Sequence, residues 1–167
     1  MFSIYHGVPN EFIVGCIILM FLVKLPYYNK TYFLVMSIVL LLCVLTNVAN
    51  IFIKIKQNIK INIEKILGLL FTVILVYAVV YYALYNYDNT SFIGIEENTT
   101  KNNDQLEEQS YQNMFNKLFE MCYFTMTTIF TVGYGDITPK TKYAITVVMT
   151  QYIIGIILLG VMLSKSK

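Results

Sequence analysis

Residues 131–136 read Thr-Val-Gly-Tyr-Gly-Asp, and the chemistry open to such a strip belongs to its main chain. A dehydrated cation the size of potassium needs oxygens in place of its water, and a dense source is a run of backbone carbonyls pointing one way. Ordinary strand or helix geometry does not supply that run. Two glycines at alternate positions, Gly133 and Gly135, can take backbone angles closed to other residues, so that successive carbonyls line one axis while Val132 and Tyr134 point away into packing. Thr131 adds its hydroxyl to the lowest ring. One copy provides a quarter of each ring, so the strip predicts four chains about a four-fold axis. A two-fold arrangement would need the strip twice per chain, and it occurs once.

Other chemistry finds little support. Paired carboxylates, a nucleophile elbow and a metal cluster are all missing from the sequence, which speaks against an enzyme. Cys16, Cys43 and Cys122 are odd in number, lie in apolar stretches and lack metal-site spacing; they read as small buried hydrophobes. His6, the lone histidine, makes neither a metal site nor a dyad, although it can tune behaviour weakly with pH. Lys117 and Glu120, ahead of the strip, are expected to face water or pair locally.

The elements that must position the strip are written in run length. The chain is 57% hydrophobic and 13% charged, more apolar surface than a soluble fold of this size can hide. Crossing a bilayer takes about 20 mostly apolar residues in a helix, and residues 31–53, 66–87 and 143–163 meet that test. Scattered Ser37, Thr46, Asn47 and Asn50 in the first of these can face other helices, and the tyrosines after Tyr77 suit a helix end at a membrane interface. The run at 12–23 is short. Glu11 and Lys24 can snorkel and extend it to about 11–28 as a further span, with an interfacial helix as the alternative. It lacks the basic start and small-residue exit of a cleaved signal peptide. All 12 basic residues are lysines, so no arginine-bearing voltage-sensing helix has a candidate. A net charge of +2 without a basic stripe sets nucleic acid aside as a partner.

Charge asymmetry orients the spans. The loop at 54–65 carries four lysines against one acid and is expected on the cytoplasmic side. Residues 88–112 carry Asp88, Glu96, Glu97, Asp104, Glu107 and Glu108 against Lys101 alone; this loop is expected outside, where it raises cation concentration above the strip. The tail at 164–167 returns to the cytoplasm only if the stretch between the last two spans enters and leaves by one face. Residues 113–129, a helix too short and mixed to span, suit such a re-entrant segment, tolerated at membrane depth when protein or water surrounds it. Its C-terminal carbonyls would aim partial negative charge at the strip. Glycosylation patterns begin at Asn29, Asn89 and Asn98 and read as chance in an Asn-rich chain.

With these parts in place, the chain resembles the potassium channel family, whose filter sequence Thr131 through Asp136 matches in full. The resemblance spans residues 66–163 and implies an all-α membrane protein of outer helix, re-entrant pore helix, selectivity filter and inner helix, assembled as a homotetramer in a lipid bilayer; residues before Lys54 are not explained by it, and the apolar runs there add one or two N-terminal transmembrane helices. It implies K+ ligation by the carbonyls of Thr131, Val132, Gly133 and Tyr134 and the Thr131 hydroxyl, with no organic cofactor. Asp136 would brace the outer mouth, while Tyr123, Phe124, Thr127, Thr128 and Phe130 would support the filter. Gly155 and Gly160 stand at spacings similar to those of gating-hinge glycines, with close helix packing as the alternative. The sequence departs from the family in three ways. Phe130 replaces a small hydroxyl residue and puts bulk behind the filter; Tyr123-Phe124 stands where many relatives have a Trp pair; Thr127 stands where some carry an acid.

The resulting expectation is a passive potassium channel in a plasma membrane or a viral or host membrane. Four residues follow the last span, so gating is expected to be intrinsic, resembling the miniature potassium channels of viruses. A poorly selective cation channel and a non-conducting regulatory subunit remain the alternatives.

Overall fold

A computed structural model of the chain describes residues 30–56, 63–95 and 106–165. The expected span at 11–28, the middle of the basic loop, His6, and the patterns at Asn29 and Asn98 lie outside these residues. The described chain is helical: α1 Lys30–Lys56, α2 Ile63–Tyr87, α3 Leu106–Ile129 and α4 Lys142–Lys165. A two-residue ladder joins β1, Phe92–Ile93, to β2, Thr138–Pro139. Three of the helices are long and apolar enough to cross a membrane, over Phe33–Asn50, Glu64–Tyr87 and Lys142–Leu163.

Helix α2 is the hub, since α1, α3 and α4 all pack on it. Two-thirds of its span is buried, against 22% and 28% for the spans in α1 and α4. On α1 the buried positions Phe33, Ser37, Val44 and Val48 fall on one stripe, and Phe33 meets Tyr82 edge-on with ring centroids 5.9 Å apart. On α4 the stripe is Ala144, Val148, Gln151, Gly155 and Leu158, the three-and-four spacing of a helix with one packed face. The other faces of both helices expose Val35, Ile38, Leu42, Met149, Ile153 and Ile156, a surface suited to lipid or another apolar chain.

Three polar residues of α1 bond back to its own main chain. Among the described residues Thr46 and Asn47 face no other helix; both are exposed and donate back to the Cys43 carbonyl, at 2.8 and 3.1 Å. Ser37 does the same to Leu34 while sitting buried. Such back-bonding hides a hydroxyl at membrane depth without a partner helix. Cys43 is exposed rather than buried, and Cys122 is half-buried; both are free thiols.

The tyrosines of α2 pack inward: Tyr77, Tyr81, Tyr82 and Tyr85 are buried inside the protein, while Tyr87 at the helix end is exposed. A buried phenol needs a partner, and partners exist: Tyr77 bonds Thr150 at 2.9 Å, Tyr81 donates to Gln151, and the Lys117 ammonium lies 4.8 Å above the Tyr85 ring. Half-buried Lys117 therefore pairs with Tyr85 and helps dock α3 onto α2.

At one end of the bundle a polar clasp ties the end of α2 to the start of α4. The Asp88 carboxylate accepts from the Thr90 amide at 3.0 Å, the Thr90 hydroxyl at 2.7 Å and the Tyr143 hydroxyl. These bonds, Tyr143 foremost, hold the Asp88 carboxyl below the ordinary carboxylate range. The Lys140 amide donates to the Ser91 carbonyl at 2.8 Å, extending the ladder by one bond.

Candidate functional site

Helix α3 begins seven residues earlier than the sequence predicts, at Leu106, and stops at Ile129. Its end is where the strip 131–136 starts, and the two are fused by hydrogen bonds. The Met126 carbonyl accepts from Phe130, that of Thr128 from Thr131, and that of Thr127 from both Val132 and Gly133, at 2.8 and 3.2 Å. Carbonyls that a helix terminus leaves orphaned are thus met by the first amides of the strip, which sets its direction relative to the helix axis. Thr127 acts here through its main chain; its hydroxyl turns back to the Phe124 carbonyl at 3.0 Å.

Within the strip, φ is positive at every second residue: 57° at Thr131, 55° at Gly133 and 79° at Gly135. Glycine takes this region freely, whereas a threonine there is strained. A Cβ added at Gly133 or Gly135 would meet nothing within 4 Å, so the need for glycine arises from the backbone angle and not from crowding by the same chain. All six residues are exposed in the single chain, Tyr134 at 71% and Val132 at 51%.

Tyr123 reaches the strip from α3. Its ring stacks on Tyr134 with centroids 6.3 Å apart and planes 2° from parallel, which brings its hydroxyl toward the Asp136 carboxylate. That carboxylate accepts from the Ile137 amide at 3.0 Å. The Tyr123 hydroxyl, ahead of the backbone bonds, pulls the Asp136 carboxyl below its ordinary range. A group depressed in this way keeps its bonds above the ordinary carboxylate range and loses them as pH falls through the depressed value. Tyr123→Phe removes the main cause, so acid disruption of the outer end of the strip is expected at higher pH than in the wild type. Current recorded against external pH checks this; coincident midpoints would refute it.

The neighbouring residue behaves differently. Phe124 is buried in an aromatic cluster with Tyr81 and Phe92, at centroid distances of 5.2 and 5.7 Å. The expected aromatic pair is thus split, because adjacent helical residues point about 100° apart: Tyr123 supports the strip and Phe124 anchors α3 to α2. A cleft of about 240 Å³ lies behind residues 133–139, lined by Phe124, Thr127, Thr128, Val148 and Tyr152. Phe130 stands 47% exposed in the single chain. Thr128 is buried. Gly155 is a packing glycine here, since a Cβ would come within 2.9 Å of Ile129 Cγ1 and 3.1 Å of its carbonyl oxygen. Gly160 has nothing within 4 Å.

Two features of the site escape the sequence reading. Gly94, at φ 90°, lies so close to the strip that a Cβ would sit 1.8 Å from the Asp136 carbonyl oxygen. Gln151 is fully buried and bonded to both α2 and α3. A signal existed for the second, because an amide midway along an apolar span demands a partner; Gly94 sits in an ordinary loop composition and offered none.

The family model described as "Ion channel" matches residues 69–166, more than half of the chain. No curated protein and no solved structure matches. The match runs from α2 through the strip to the end of α4, the same elements that the hydrogen bonds above join into one unit. It excludes the enzyme reading and accounts for the spanning helices as those of an integral membrane protein. The chain therefore belongs to the ion-channel family of two-transmembrane potassium channel pore domains.

Proposed function

We propose that the chain is one subunit of a potassium-selective channel, with strip 131–136 as the filter and four copies closing around it. The observation that carries the reading is the alternation of positive φ at Thr131, Gly133 and Gly135 on a strip that emerges directly from the end of α3. Alternating backbone handedness is what allows successive carbonyls to face one axis, where those of Thr131, Val132, Gly133 and Tyr134, with the Thr131 hydroxyl, replace the water of K+. The carbonyl end of α3 adds negative potential to the path. Exposure of Val132, Tyr134 and Phe130 in a single chain supports the tetramer, since apolar side chains beside an ion path need cover from neighbouring subunits.

In this reading α3 is re-entrant, residues 54–65 and the C-terminus face the cytoplasm, and residues 88–112 face outward. Gating is intrinsic to the pore. The tight seat of Gly155 on Ile129 favours Gly160 as the point where α4 bends. Reconstitution of the purified chain into planar bilayers tests the proposal: a reversal potential that tracks the potassium gradient is expected. Equal sodium permeability would replace it with a non-selective cation channel, and silence with a regulatory subunit.

A further inference from the structure

Gln151 lies midway along α4, wholly buried, and both ends of its amide are used on different helices. Its Nε2 donates to the Thr125 carbonyl of α3 at 2.8 Å, and its Oε1 accepts from the Tyr81 hydroxyl of α2 at 2.5 Å. The Thr125 carbonyl can only accept, which leaves one sensible orientation of the amide. No leucine or methionine of similar size can make these two bonds at once.

The position of this bridge is telling. Thr125 precedes the strip by six residues, in the last turns of α3. One helical turn beyond Gln151, Gly155 presses on Ile129, itself one turn beyond Thr125. Two contacts four residues apart on each helix therefore register α4 against the end of α3 from which the strip departs. Nearby, the Tyr77 hydroxyl and Thr150 join α2 to α4 by a bond that does not involve α3. The two bonds separate the roles cleanly: one holds the helix pair, the other holds the helix that aims the strip.

We propose that Gln151 is a positioning residue for conduction, a buried amide clasp that fixes the strip-bearing end of α3 against α2 and α4. The inference rests on the reading of residues 131–136 as the ion path. Without the clasp the Thr125 carbonyl and the Tyr81 hydroxyl lose a buried partner, α3 can rock about its remaining contacts, and the strip leaves its conducting geometry in brief closures. Permeation itself is untouched, since Gln151 meets no ion.

Single-channel recording of the full chain in bilayers tests this. Gln151→Leu and the milder Tyr81→Phe are each expected to lower open probability, Gln151→Leu by about tenfold, the equilibrium effect of stranding buried hydrogen-bonding groups. Reversal potential and unitary current should match the wild type. The double variant should be no worse than Gln151→Leu alone, because both changes act through one amide. Thr150→Val, which cuts the α2–α4 bond and the bond from Thr150 to the Val147 carbonyl but neither bond of Gln151, should keep wild-type open probability. Wild-type open probability in either clasp variant, independent effects that multiply, or an equal loss in Thr150→Val would each overturn the proposal. A silent wild type would instead overturn the channel reading on which it stands.

Discussion

Potassium current is expected to vanish in Gly133→Ala while the protein still inserts and assembles. Gly133 holds φ 55°, and an L-residue in that region costs about 1–2 kcal/mol. For one chain this is a modest burden, and no neighbour within 4 Å adds a clash. The channel read here has four strips that must hold the conducting geometry together, so the strain accumulates to about 4–8 kcal/mol and depletes the conducting state by about a thousandfold or more. Folding of α1, α2 and α4 does not depend on that angle, so tetramers should remain on a native gel and in the membrane fraction. Bilayer recordings check the loss; current at wild-type amplitude would contradict the assignment of the strip.

Gly94→Ala is expected to fail by a different route. Here the obstacle is the backbone of the strip's own end: the added carbon would lie 1.8 Å from the Asp136 carbonyl oxygen and 2.9 Å from its carbon. No side chain can swing aside to relieve the contact. Either residues 92–94 separate from β2 or Asp136 shifts and loses its bond to Ile137. The φ of 90° adds the cost of a backbone region closed to alanine, about 1–3 kcal/mol per subunit. We expect the proposed tetramer to dissociate at lower temperature and the current to fall to background, measured by heating before gel electrophoresis and by recording. Gly160→Ala, with open space around it, should leave the dissociation temperature in place. A Gly94→Ala tetramer as heat-stable and conductive as the wild type would show that the ladder and the strip are independent.

Both predictions concern glycines at positive φ, yet only one was legible in the sequence. Gly133 announces itself through its neighbours, since the six-residue strip has a local chemical meaning before any fold is known. Gly94 matters because a loop joined to the end of α2 is folded back against residue 136, and nothing in Phe92-Ile93-Gly94 states which backbone will approach it. The same division runs through the side chains. Tyr123 and Phe124 look equivalent in sequence, but the rotation of α3 sends one to Asp136 and the other into the cluster with Tyr81. Lys117 reads as a solvated charge until Tyr85 is placed beneath it.

The amino-acid order alone determined how many described helices can span a bilayer, because an uninterrupted apolar run of sufficient length is a property of the chain and of bilayer thickness. It also determined the special backbone of residues 133 and 135, because freedom at positive φ belongs to glycine itself. Tertiary structure decided which faces of those helices meet. The burial of the α2 tyrosines, the bridge at Gln151, the seat of Gly155 on Ile129 and the approach of Gly94 to Asp136 all depend on helix rotation and axial register. Those are set by the summed packing of residues far apart in sequence, where many weak contacts compete and no short motif records the outcome.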